Sequence, residues 1–88
     1  MATIIHIQET TSDQVTEIIA ETTREAIHAY VRNANGKRWD RLHGVRYFPG
    51  TDIIKHMTYE FDNGERALIR FDRPGRYLVA WQSTDGAY

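Results

Sequence analysis

Lys37, Arg38, Arg41 and Arg46, interleaved with Trp39, His43 and Tyr47, form the densest set of side chains able to do chemistry in this 88-residue chain. Cations neutralise phosphates and flat rings stack on bases, so the segment holds both ingredients of a nucleic-acid contact. Lys37, Arg38, Trp39, Arg41, His43 and Arg46 are the candidate nucleic-acid-binding residues. Asp40 interrupts the run, however, and Trp39 and Tyr47 serve equally well as core side chains with polar tips at the surface. A histidine and a tyrosine beside cations could also cleave RNA, since in-line attack by a 2′-hydroxyl needs only a base, an acid and positive charge on the phosphate.

Other catalytic chemistry has less support. His6, His28, His43 and His56 show none of the close spacing that metal sites use, so no metal is expected. Ser12 and Ser83 stand in no nucleophile-elbow context, and no glycine-rich phosphate-binding pattern occurs. Catalytic residues and cofactors are therefore not expected, and a non-enzymatic role is favoured over an enzymatic one.

The second candidate site needs strands to assemble it. Between Met57 and Gln82 the apolar residues alternate along three runs: Met57, Tyr59, Phe61; Ala67, Ile69, Phe71; Tyr77, Val79, Trp81. A three-residue loop Asp62-Asn63-Gly64, with Gly64 left-handed, pairs Tyr59 with Ala67 and Met57 with Ile69, so the apolar sets share a face. An equivalent loop at Arg73-Pro74-Gly75 pairs Phe71 with Tyr77, Ile69 with Val79 and Ala67 with Trp81, although Pro74 disfavours the helical Arg73 such a loop prefers. The opposite face then carries Arg66, Leu68, Arg70, Leu78 and Ala80, with Glu60 facing Arg66 as an ion pair and His56, Thr58 and Gln82 nearby. Arginine mixed with aliphatic side chains is the composition of a protein interface.

The remaining elements follow from period and punctuation. Thr3 to Gln8 predicts a short strand. Thr11 and Gln14 have capping-box spacing, and Val15, Ile18, Ile19, Thr22, Ala26, Ala29 and Tyr30 fall on one helical stripe. A long helix from about Asp13 to Asn33, stopped at Asn35-Gly36, is the expectation. Ala20, Ile27 and Val31 widen its apolar arc beyond what one sheet contact requires. Either Lys37 to Phe48 folds back over that flank, or Ile27 and Val31 meet a partner. A strand is expected from about Val45 to Phe48, then a turn at Pro49 to Asp52; residues 83–88 read as a flexible tail.

These elements make one α+β domain over residues 1–88, with a short N-terminal strand and one long amphipathic helix packed on a three- to four-stranded antiparallel sheet. Net charge is −1, divided as −3 over residues 1–36 and +2 over residues 37–88. That permits a local basic patch without the strong field of a dedicated nucleic-acid binder. Cysteine is absent, which removes disulfides and thiol chemistry and favours the cytoplasm. No apolar run approaches a membrane span, so no membrane partner is expected.

The functional expectation is a small protein-interaction module, an inhibitor, adaptor or regulator and a homodimer, a profile shared with small inhibitors carried by viruses or mobile elements. Its partner-binding residues would be Arg66, Leu68, Arg70, Leu78, Ala80, Ile27 and Val31. The alternative is an RNA-binding or RNA-cleaving protein, whose strand, helix and antiparallel sheet would resemble small ribonuclease toxins in outline.

Overall fold

The computed structural model describes residues 2–35, 41–61 and 64–82. Its last three strands, β4 (Ile54–Glu60), β5 (Arg66–Arg73) and β6 (Arg76–Gln82), form a meander. Tyr59 faces Ala67, Met57 faces Ile69, Ile69 faces Val79 and Ala67 faces Trp81, the register expected from the alternation. At the first turn the Phe61 N–H donates to the Glu65 carbonyl at 2.9 Å, closing a three-residue connection with Gly64 at φ 87°. Asp62 and Asn63 lie outside the described residues.

At the second turn the chain relieves the conflict at Pro74 by shifting the irregularity. Arg73 stays extended and pairs with Arg76, leaving Pro74-Gly75 as a two-residue turn with Gly75 at φ 77°. Proline first and a left-handed glycine second is the type II arrangement. The extra residue is absorbed by a bulge between Phe71 and Arg73, so Phe71 still meets Tyr77.

The N-terminal third departs from the expected long helix. β1 (Thr3–Glu9) is followed by a second strand, β2 (Val15–Ala20), and only then by a 13-residue helix, α1 (Thr23–Asn35). Val15, Thr16, Ile18 and Ile19 are β-branched, and their χ1 stiffness suits a pleated strand better than a helix. Thr16, Ile18 and Ala20 are half-buried while Val15, Glu17 and Ile19 are exposed, a period of two. The β1–β2 turn places Asp13 at φ 56°, a conformation aspartate tolerates, and the Glu9 N–H donates to the Gln14 carbonyl at 3.1 Å. The helix cap is Thr22 rather than Thr11: its Oγ1 accepts the Glu25 N–H at 3.1 Å.

Lys37 to Phe48 does not lie back over the helix as one segment. Residues 36–40 are outside the described residues, and Arg41–Tyr47 forms β3, a longer strand than expected, paired antiparallel with β4. The whole is α+β with one six-stranded mixed sheet in the order β2-β1-β6-β5-β4-β3. Every neighbouring pair is antiparallel except β1 with β6. The sheet therefore has twice the breadth of the expected three-stranded minimum, because the N-terminal hairpin and β3 extend it at both ends.

The helix covers one face only. Ala26, Ile27, Tyr30 and Val31 join Ile5, Ile7, Met57, Tyr59, Ala67, Ile69 and Val79 in one core. Full burial of side chains of this kind contributes about 1.5–3 kcal/mol each. Ile27 and Val31 are both 0% exposed, so they are unavailable to a partner. Their flank is occupied by the β1–β2 hairpin, over which the helix lies.

Thr22→Ala is expected to lower stability by about 1 kcal/mol in urea titrations, with faster amide exchange in the first turn of α1. Thr11→Ala, in an exposed loop, should change stability by less than about 0.5 kcal/mol. Equal effects at both positions would contradict the cap assignment.

Candidate functional site: the uncovered sheet face

Register assigns the described side chains of the sheet to one face or the other, and the face opposite α1 reads as five cross-strand rows. Ile19 and Ile4 form the first; Glu17, His6 and Arg76 the second; Val15, Gln8, Leu78, Arg70, His56 and Arg46 the third; Ala80, Leu68, Thr58 and Gly44 the fourth; Gln82, Arg66 and Glu60 the fifth. Arg66, Leu68, Arg70, Leu78 and Ala80 are thus brought together as the alternation requires. The structure adds β1 and β2 on one side and Arg46 of β3 on the other.

Most charges in these rows have partners. Arg66 Nη2 lies 3.0 Å from Glu60 Oε2, the expected cross-strand ion pair. His6 Nε2 stands 3.2 Å from Glu17 Oε2. Arg76 Nη2 donates to Gln8 Oε1 at 2.8 Å, and its Nε is 3.9 Å from Asp72 Oδ2. Arg46 and Arg70 differ: both are exposed, and among the described residues neither has a carboxylate within ion-pair distance. His56 stands between them, directly opposite each. The two guanidiniums flank one imidazole and offer unshared N–H donors, so this row invites an external anion. Leu78 continues the row on one side, and Leu68 and Ala80 border it on the next.

The nucleic-acid candidates do not converge in the same way. Arg46 lies on the uncovered face, Arg41 and His43 enter as backbone positions of β3, and Lys37, Arg38 and Trp39 lie outside the described residues. Among the described residues no tyrosine, phenylalanine or tryptophan stands in these rows, whose rings are the imidazoles of His6 and His56. The described rings group on the helix side instead, with Phe71 against both Tyr77 and Phe48, and Tyr30 and Phe61 beside Trp81.

The histidines are dispersed. His6 and His56 share the uncovered face with β6 and β5 between them, while His28 belongs to α1. Among the described residues no group of three or more His, Asp or Glu side chains could hold a metal ion. Among the described residues no helix is long and apolar enough to cross a membrane. A groove of about 840 Å³ opens between the start of α1 and the β3–β4 loop, lined by Ile4, Ile53, Phe71 and Tyr77 with Glu21 and Asp52 at its rim. Its polar groups do not form a nucleophile and base pair.

On the covered side the polar contacts are structural. His28 Nδ1 and the Tyr59 hydroxyl are hydrogen-bonded, with the rings edge-on at 5.4 Å. Burial lowers the His28 pKa, and Arg24 and Arg32 lower it further against an opposing contribution from Glu25. Burial raises that of Tyr59. Both groups are neutral near pH 7, and the imidazole tautomer sets which of the two donates. Tyr30 donates to Glu9 at 3.3 Å, and burial together with that carboxylate pushes its pKa up to about 12. Tyr77 donates to the Ile54 carbonyl at 3.0 Å.

Comparison with family models, curated proteins and solved structures finds no match to this chain. The topology also differs from the strand, long helix and antiparallel sheet on which the outline likeness to ribonuclease toxins rested. Residues missing from the sequence reading of the face are Ile4, His6, Gln8, Val15, Glu17 and Ile19. Their signal was the density of β-branched residues in VTEIIA, which the helical stripe obscured.

Because the folded His28 pKa lies below its unfolded value, the unfolded chain takes up the proton first. The stability this group contributes is complete above about pH 6.5 and falls as pH drops through the folded value. His28→Gln, which retains an acceptor for Tyr59, should flatten the slope of unfolding free energy below about pH 6.5 in urea titrations. An unchanged slope would remove His28 as its source.

Proposed function

We propose that the protein is a non-catalytic interaction module, an inhibitor, adaptor or regulator, whose uncovered sheet face receives a protein partner presenting carboxylates beside apolar side chains. The row Arg46–His56–Arg70, without an internal counter-charge among the described residues and bordered by Leu68, Leu78 and Ala80, carries this reading. Both guanidiniums have N–H donors to offer, and a partner's carboxylates would accept them in charge-assisted hydrogen bonds. The aliphatic neighbours supply apolar contact area, and the long arginine stems extend it. A single-stranded nucleic acid would supply the anions too, but the described rows offer it only two imidazoles and no tyrosine, phenylalanine or tryptophan for stacking.

A peptide of alternating glutamate and leucine, titrated into isotope-labelled protein, tests the reading by amide chemical shifts. Perturbations should cluster at Arg46, His56, Leu68, Arg70 and Leu78, with no response to the lysine–leucine counterpart. Arg70→Glu should weaken binding at least about tenfold, the scale of a lost hydrogen bond to a charged group. Leu68→Glu and Leu78→Glu should abolish it while leaving the thermal transition near its original temperature. No perturbation in these rows at millimolar peptide, or an equal response to the lysine peptide, would count decisively against the proposal. A uridine-rich RNA oligonucleotide that binds there instead, weakening steeply with salt, would replace it with the nucleic-acid reading.

A further inference from the structure

The two outer strands of the sheet are guarded unequally. β3 carries Arg41, Arg46 and Gly44, with register shifts between Leu42 and Gly44 and between Arg46 and Tyr47. Charged side chains, lysine and arginine above all, and bulges are the devices by which natural edges resist pairing. β2 has one charge, the Glu17 carboxylate beside His6, and no bulge. Val15–Ala20 pairs with β1 in unbroken register, contains no lysine, arginine or proline, and leaves Val15 43% and Ile19 60% exposed.

The unpaired backbone groups of β2 can be assigned. Since the Glu9 N–H donates to the Gln14 carbonyl, alternation turns Thr16, Ile18 and Ala20 toward β1. The N–H and C=O groups of Val15, Glu17 and Ile19 therefore point away from the sheet. An edge of this kind calls for another strand.

We propose that the strand it takes is β2 of a second copy of this chain, paired antiparallel across a two-fold axis to join both six-stranded sheets into one. Side-chain faces must match, which leaves few registers. Centring the pair on Glu17 opposes two Glu17 carboxylates, and centring it on Ile19 opposes Glu17 with Glu21. Centring it on Ile18 avoids both repulsions: Glu17 faces Ile19, Thr16 faces Ala20, and the two Ile18 side chains meet on the helix side. A groove of about 500 Å³ lies along β2 there, lined in part by Thr16, Ile18, Tyr30 and Asn33, and the second copy's Ile18 enters it. The contact is self-complementary and closes at two copies, since only the guarded β3 edges remain. It is independent of what occupies the uncovered faces, which end on the same side of the joined sheet.

Sedimentation of the full chain from micromolar to millimolar concentration should show a monomer–dimer equilibrium. Glu17→Pro removes an outward N–H while leaving the β1 ladder intact, so it should yield a monomer with the original circular dichroism. If that variant fails to fold, Ile19→Lys at an exposed position replaces it and should also be monomeric. The chain has no cysteine, so single-cysteine variants report register directly. Ile18→Cys places two thiols across a non-hydrogen-bonded pair, at a spacing of about 4.5 Å between Cα atoms that a disulfide accepts. It should cross-link faster under mild oxidation than Glu17→Cys or Ile19→Cys. A wild-type chain monomeric at millimolar concentration, a dimer that survives the proline or lysine variant, or fastest cross-linking at another position would overturn the proposal.

Discussion

The parallel ladder between β1 and β6 holds the two halves of the molecule together. It aligns Ile7 with Tyr77 and Gln8 with Leu78, and is flanked by bonds from the His6 N–H to the Gly75 carbonyl at 2.8 Å and from the Thr10 N–H to the Val79 carbonyl at 3.1 Å. Parallel strands cannot be joined by a tight turn, so the chain between them must travel away and return. Here it does so through β2, α1 and the rest of the sheet. Without this ladder Ile5 and Ile7 would not stand beside Val79 and Tyr77, and α1 would lose part of the apolar floor on which Ile27 and Val31 are buried.

The same ladder makes the sheet too broad to be covered on both sides. One helix of 13 residues serves six strands, and it is committed to the face bearing Met57, Tyr59, Ile69 and Val79. The other face meets water with arginines, histidines, carboxylates and a few aliphatics. Ion pairs such as Arg66–Glu60 make that face compatible with solvent, while Arg46 and Arg70 have none among the described residues. The proposed docking surface is thus a consequence of arithmetic between strands and helices.

Three tyrosines orient the covered side. Tyr59 reaches His28, Tyr30 reaches Glu9 and Tyr77 reaches the Ile54 carbonyl, so each largely buried ring keeps a partner for its hydroxyl. A buried hydroxyl without one would cost about 1–3 kcal/mol. Such bonds specify the position of a helix on a sheet more narrowly than aliphatic contact does. The Tyr59–His28 bond in particular ties the middle of α1 to the C-terminal end of β4.

The sequence by itself determined the meander, down to the residues opposed across its strands, because alternation and turn chemistry are local and agree there. It also determined that Arg66, Leu68, Arg70, Leu78 and Ala80 share a face. It pointed to a helix through the N-terminal region, where Val15, Ile18, Ile19 and Thr22 satisfy a helical stripe and Thr11 with Gln14 has capping-box spacing, although the β-branched run also suits a strand. Only the tertiary structure decided between them, since β2 becomes a strand by pairing with a β1 that is itself anchored on β6. Burial of Ile27 and Val31, the joining of Arg46 to His56 and Arg70, and the exposed edge of β2 were decided at that level for the same reason. Which surface is left over depends on what packs against what, and that is a property of segments far apart in the chain.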